Sequence, residues 1–241
     1  MINHDAVEPT GFVAVAAGVA VAAFVQGTTG VGFALIVAPI VGLVAPALLP
    51  VCLLVLMLPL NVYVAWRERA ALDRSGAGWI TLGRLVGTFG GLWILAALPA
   101  SALNLLIGAA TILAAAATLV LPSFRAGRHS FIAAGLVTGV TETATGIGGP
   151  PLALVYQHHA APVLRSTIAF CFLVGELISL ASLAVAGRTS ATQFEVALLL
   201  VPPLALGAMV SRYVHHRVDG RVLRTFVLGF AIVSGTVLLF R

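Results

Sequence analysis

Gln26-Gly27-Thr28-Thr29-Gly30-Val31-Gly32 interrupts an apolar run, and Glu142-Thr143-Ala144-Thr145-Gly146-Ile147-Gly148-Gly149-Pro150-Pro151 interrupts another. Gly30 and Gly146 are 116 positions apart, as are Gly32 and Gly148, Pro46 and Pro162, and Gly91 and Gly207. Such a spacing, kept without gaps, reads as a duplicated half. A polar, helix-breaking tip inside each half is the pattern of secondary transporters built from internal repeats.

Composition sets the medium. The chain of 241 residues is 60% hydrophobic and 9% charged, with mean hydropathy +1.10. A soluble domain carries about 25% charged residues, so most of this surface faces lipid. The thirteen basic residues are all Arg. They lie mainly in short loops: Arg67, Arg69 and Arg74 in one, Arg125 and Arg128 in another, Arg212, Arg217, Arg221 and Arg224 in a third. The +5 charge therefore reads as a topology determinant and not as a nucleic-acid surface. Met1 to Thr10 carries Asp5 and Glu8 without a cationic stretch, so Gly11 to Val25 is not expected to be a cleaved leader. Cys52 and Cys171 lie in apolar segments and are expected to be buried thiols, with no disulfide framework and no metal site.

Apolar segments fall at about 11–25, 31–44, 48–66, 78–98, 102–121, 131–144, 148–157, 167–186, 193–214 and 223–240. Several reach the ~20 residues a membrane span needs. The pairs 11–25/31–44 and 131–144/148–157 read as too short for comfortable spans and are expected to form broken or re-entrant hairpins with tips buried in protein. Arg-rich loops placed in the cytoplasm put both termini outside and run 48–66 inward while 167–186 runs outward. The expected fold is an all-α polytopic membrane protein, one integral membrane domain of two inverted-topology repeats. Each repeat, 1–121 and 131–241, holds a glycine-rich helix pair followed by three transmembrane helices, with 121–130 as the junction.

At these residues the chain resembles the sulfite exporter TauE/SafE family, also called the toluene sulfonate uptake permease family. The resemblance covers nearly the whole chain. It rests on Gly27-x-x-Gly30-x-Gly32-x-x-x-x-x-x-Pro39 and on Gly139 with Thr145-Gly146-Ile147-Gly148-Gly149-Pro150. It implies a permease of the cell inner membrane that exports or takes up small sulfur-containing anions, such as sulfite or organosulfonates, and not an enzyme.

The residues themselves suggest how an anion is held. Amides at a helix N-terminus carry about half a positive charge, and glycine lets backbone approach a ligand closely. Gln26, Gly27, Thr28, Thr29, Gly30 and Gly32 in the first tip are the substrate-binding candidates. Thr143, Thr145, Gly146, Gly148 and Gly149 are their counterparts in the second. An alternative role for the glycines is close helix packing. Glu142 aligns with Gln26, and a carboxylate at mid-membrane costs at least about 2.5 kcal/mol, so Glu142 and Glu176 are the proton-coupling candidates. Arg84 either pairs with one of these carboxylates or contacts substrate through its planar donor fork. Asn61 reads as a polar helix–helix contact. Arg165 either closes the cytoplasmic mouth or attracts anions there.

His158-His159 and His215-His216 lack metalloprotease spacing and read as interfacial. With no Lys to complete a phosphate-binding loop, ATP-driven transport by this chain alone is not expected, and no cofactor is implied. The expected partners are a small anion and the lipid bilayer, with no nucleic acid and with a homodimer left open. The rival readings are an anion or small-solute channel, a carrier of small carboxylates, an intramembrane enzyme using Glu142 with His158 or His159, and an assembly subunit.

Overall fold

The computed structural model describes residues 8–99, 102–120, 126–214 and 220–240. These residues form eleven α-helices and no strand. They are α1 (Pro9–Thr29), α2 (Phe33–Val44), α3 (Val51–Arg67), α4 (Arg74–Ala97), α5 (Leu103–Val120) and α6 (Arg128–Thr145), followed by α7 (Gly149–Val155), α8 (Ala161–Val185), α9 (Ala191–Leu199), α10 (Val201–Val214) and α11 (Gly220–Leu239). His215, His216, Arg217 and Arg125 lie outside the described residues.

Among the described residues, three helices are long and apolar enough to cross a membrane: α1, α4 and α8. The span of α1 corrects the expectation of a short segment ending at Val25, because the helix continues to Thr29 and reaches 21 residues. The reason is local. Thr28 donates its hydroxyl to Phe24 O at 2.8 Å and Thr29 donates to Val25 O at 3.0 Å, so polar side chains satisfy themselves along the helix and do not end it. A second correction falls at 193–214, expected as one span. It is two helices bent by 42° around Leu200. Pro202 and Pro203 lack the N–H groups that would carry the ladder through that turn.

Small residues set the helix contacts. On α4, a Cβ at Gly83, Gly87 or Gly91 would overlap the carbonyls of Ile132, Leu136 or Val140 on α6. Gly135 of α6 meets Ile80 O in the same way. The two backbones touch, and any side chain at these sites would force them apart. At the corresponding position of α10, Gly207 meets Ala20 O of α1. Helix α4 packs on α6, α10 on α1, α3 on α8 and α5 on α11. The α3–α8 pair carries the buried polar side chains Asn61, Glu176 and Ser179 into the middle of the bundle. Cys52 and Cys171 are buried free thiols.

Candidate functional site

Both glycine tips are built by one backbone device. Gly30 ends α1 at φ 86° and donates its N–H to Gln26 O at 2.8 Å; Gly146 ends α6 at φ 82° and donates to Glu142 O at 2.7 Å. Only glycine adopts this left-handed turn without strain. One residue on, Val31 N–H donates to Thr29 Oγ1 at 3.3 Å and Ile147 N–H to Thr145 Oγ1 at 3.2 Å. Thr145 in turn donates its hydroxyl to Thr141 O at 2.7 Å, as Thr29 does to Val25 O. The tips abut: a Cβ on Gly149 would lie 3.8 Å from Val31 Cβ.

A chain of buried polar side chains joins them. Phe33, the first residue of α2, donates its N–H to Gln26 Oε1 at 3.1 Å. Gln26 Nε2 donates to Asn61 Oδ1 at 3.4 Å, and Asn61 Nδ2 donates to Glu176 Oε1 at 2.7 Å. Glu176 lies within electrostatic reach of Arg84 and Glu142. Arg84 Nη2 stands 2.7 Å from Glu142 Oε2, and that oxygen crowds the Gly148 backbone of the second tip. Arg84, Glu142, Glu176 and Asn61 are fully buried, and Gln26 is 2% exposed. Of the alternatives open for Arg84, the geometry selects Glu142 as its ion-pair partner.

The guanidinium has a made-to-measure berth. A Cβ on Gly175 would overlap Arg84 Cζ, Nη2 and Nε, and the Phe172 ring centroid lies 5.8 Å from Cζ. The Arg84–Glu142 contact is an ion pair whose N–H groups are not aligned as hydrogen bonds. Arg84 Nε and Nη1, both Glu142 oxygens, Glu176 Oε2 and Thr88 Oγ1 have no hydrogen-bond partner. Buried polar atoms are seldom left so; of these, Arg84 Nε and Nη1 and Thr88 Oγ1 are the ones able to donate to a ligand's oxygens, whereas the carboxylate oxygens can only accept.

The remaining candidates are distributed differently. Gly27 packs against Ser211, where a Cβ would overlap Oγ. Thr143 Oγ1 bonds Ser179 Oγ at 2.8 Å. Gly146 faces Leu53, and Gly148 O accepts from Thr138 Oγ1 at 3.1 Å. Gly32 caps α2 at φ 114°. Thr28 and Thr29 are half-buried on the side of the first tip. The structure thus brings Arg84, Glu142, Glu176, Gly148 and Gln26 into one chain and leaves Gly27, Thr28 and Thr143 off it. Sequence reasoning passed over Gly175, Phe172 and Thr88, and gave Asn61 only a packing role. The one signal for Gly175 was its place directly before Glu176.

A second polar cluster sits where α3 ends and α8 begins. Arg165 Nε lies 3.0 Å from each oxygen of Glu68, Arg165 Nη2 lies 2.8 Å from Oε1, and Arg67 Nη2 reaches the same oxygen at 2.9 Å. Nearby, Tyr156 donates its hydroxyl to Asp73 Oδ2 at 2.9 Å, and Asp73 N–H donates to Thr167 Oγ1 at 3.1 Å. The His159 ring packs against Tyr156 in a tilted arrangement, with ring centroids 4.9 Å apart. No group of three metal-ligating side chains occurs among the described residues.

Apolar helices enclosing a charged, occluded core define a multi-pass membrane protein. The model of the sulfite exporter TauE/SafE family matches residues 14–238, and the chain belongs to that family. Membership places it among membrane transporters of the sulfite or sulfonate type. No curated protein and no solved structure matches the chain.

Proposed function

We propose that the protein is a secondary active transporter of small sulfur-containing oxyanions, sulfite or organosulfonates, working by alternating access and coupled to protons. The observation that carries this is Arg84, fully buried beside two carboxylates where the glycine tips meet. One cation and two carboxylates leave a net negative charge unless a proton is bound, and an uncompensated charge at this depth costs at least about 2.5 kcal/mol. With Arg84 paired to an ionised Glu142, neutrality puts one proton on Glu176; a second proton, on Glu142, loosens its hold on Arg84, and with a monoanion bound the site is neutral again. The guanidinium then offers its unused Nε and Nη1 donors to an oxyanion as a planar fork. Loss of the proton returns Glu142 to Arg84 and expels the anion. Anion and proton thus travel together.

The two-half, inverted architecture fits the exchange of helix pairs, α4 on α6 and α10 on α1, and the shared geometry of the tips. Arg-rich loops in the cytoplasm and termini outside, in the cell inner membrane, agree with Arg67 over Tyr63, Arg69 over Trp66 and Arg128 over Trp79. Such arginine–aromatic pairs suit the headgroup level. The closed core favours a gated carrier over an open channel. A carrier of small carboxylates is the runner-up, since the same fork holds a carboxylate.

The test is uptake of labelled sulfite into proteoliposomes, with and without an imposed proton gradient. Saturable uptake driven by the gradient, and competed by a sulfonate more strongly than by acetate, is expected. Uptake indifferent to the gradient and unsaturable would point to a channel, and preferential competition by acetate to the carboxylate reading.

A further inference from the structure

The Arg67–Glu68–Arg165 cluster has the form of an oxyanion site with an internal carboxylate in it. Arg165 grips both Glu68 oxygens side-on, and Arg67 adds a donor from a second direction. The three side chains are 25%, 14% and 16% exposed for Arg67, Glu68 and Arg165, so the cluster reaches the surface of the helix bundle, unlike Arg84. It also lies on the first tip. A Cβ at Gly30 would fall 2.7 Å from Arg165 Cγ and 3.3 Å from Arg165 Cα, so the missing side chain lets the arginine stem lie across the turn.

Closing this end of the bundle does not require charge. The positions 116 residues away from Arg67, Glu68 and Arg165 are Leu183, Ala184 and Leu49, and the two leucines are buried in apolar packing. An apolar seal avoids the desolvation that an ion pair incurs. Two arginines around one acid instead leave a net positive charge, with Arg69 close by over Trp66.

We infer that Arg67 and Arg165 form a second oxyanion site at the mouth of the first tip, in which Glu68 holds the place of the substrate and a sulfite or sulfonate group displaces it. The inference deepens the transport reading and rests on it. A sulfite or sulfonate group presents the same pair of oxygens as a carboxylate, with a third left for Arg67. The displaced Glu68 side chain swings to solvent, to which it is already partly exposed. The site collects anions at one face and hands them on towards Arg84.

The experiment is sulfite transport with the anion presented to the arginine-rich face, supplemented by equilibrium binding of labelled sulfite to the purified full chain. Glu68→Gln removes the internal competitor and is expected to lower KM about threefold to tenfold with kcat little changed. Arg165→Gln is expected to raise KM more than about tenfold, with Arg165→Lys recovering part. If Glu68→Gln raises kcat at unchanged KM, the cluster is a latch, and the inference is overturned; no effect on either constant overturns it too. Binding to the doubly neutralised Arg84→Gln/Glu142→Gln chain isolates the mouth. Sulfite bound there and lost on adding Arg165→Gln supports the site even if wild-type transport fails, and absence of such binding overturns the site while leaving the transport reading intact.

Discussion

The tip ending at Gly30 and the tip ending at Gly146 share a turn, a capping glycine and a threonine that closes back on its own helix, yet one begins with Gln26 and the other with Glu142. An amide is neutral, donates and accepts at once, and needs no counter-ion; Gln26 is satisfied by Phe33 N–H and Asn61. A carboxylate buried at the same position requires a cation, and α4 supplies Arg84. The backbone is thus common to both tips while the buried charge belongs to one. In the proposed mechanism, the neutral tip stays fixed and the acidic one is where proton and anion exchange.

The largest break in that comparison comes from removing the cation. Arg84→Gln strands Glu142 and Glu176 without a positive charge, and loss of one partner of a buried ion pair costs about 3–5 kcal/mol. A sharp fall in the unfolding midpoint in detergent and no transport are expected. Adding Glu142→Gln makes the second tip resemble the first and is expected to restore much of the midpoint but none of the transport. If the double variant is no more stable than the single one, the pair is not what holds the centre together.

Gly175→Ala comes next. Its methyl group would occupy the space of the guanidinium, and overpacking of this kind costs about 1–3 kcal/mol. Because Arg84 must move, sulfite transport should fall by much more than the midpoint shift implies. Transport and stability declining in proportion would make Gly175 a packing glycine only.

Glu142→Gln sharpens the contrast directly, because it gives both tips an amide. On the proposed coupling, rising pH should remove the proton from wild-type Glu142, set the ionised carboxylate in competition for Arg84 and weaken sulfite uptake. The variant cannot compete in this way, so its uptake should be flat across the same pH range. A pH profile unchanged from wild type would assign the proton elsewhere, first to Glu176.

How much of this was legible differs residue by residue. Charges inside apolar segments are few, so Arg84, Glu142 and Glu176 stood out, but sequence left open whether Arg84 pairs with a carboxylate or contacts substrate; the structure pairs it with Glu142. Their partners were harder. Asn61 and Glu176 are 115 positions apart, and Glu68 and Arg165 are 97 apart; such contacts follow from how α3 lies against α8, which no local pattern records. The end of α1 was misjudged because Thr28 and Thr29 look like loop residues until their hydroxyls are seen to bond the preceding turn. At Leu200 the fault ran the other way, since uniform apolarity hid a bend that Pro202-Pro203 signalled.

The smallest expected effect tests whether the shared backbone is as equal as it looks. Thr29→Val and Thr145→Val each keep shape and delete one hydroxyl. Each loses a bond to its own helix, at 3.0 Å for Thr29 and 2.7 Å for Thr145, and a cap on the N–H two residues on; Thr29 also loses its 2.6 Å contact with Val31 O. A hydrogen bond of this kind is worth about 0.5–1.5 kcal/mol, so both variants should unfold slightly earlier. Thr145 is 1% exposed whereas Thr29 is half-buried. At Thr29, water can take over the freed N–H; at Thr145 nothing can, and the freed group of Ile147 stays unsatisfied. Thr145→Val should therefore lower the unfolding midpoint more than Thr29→Val. An equal or reversed order would mean that the second tip is wetter than its packing allows, and that the charged chain beside it is open to solvent.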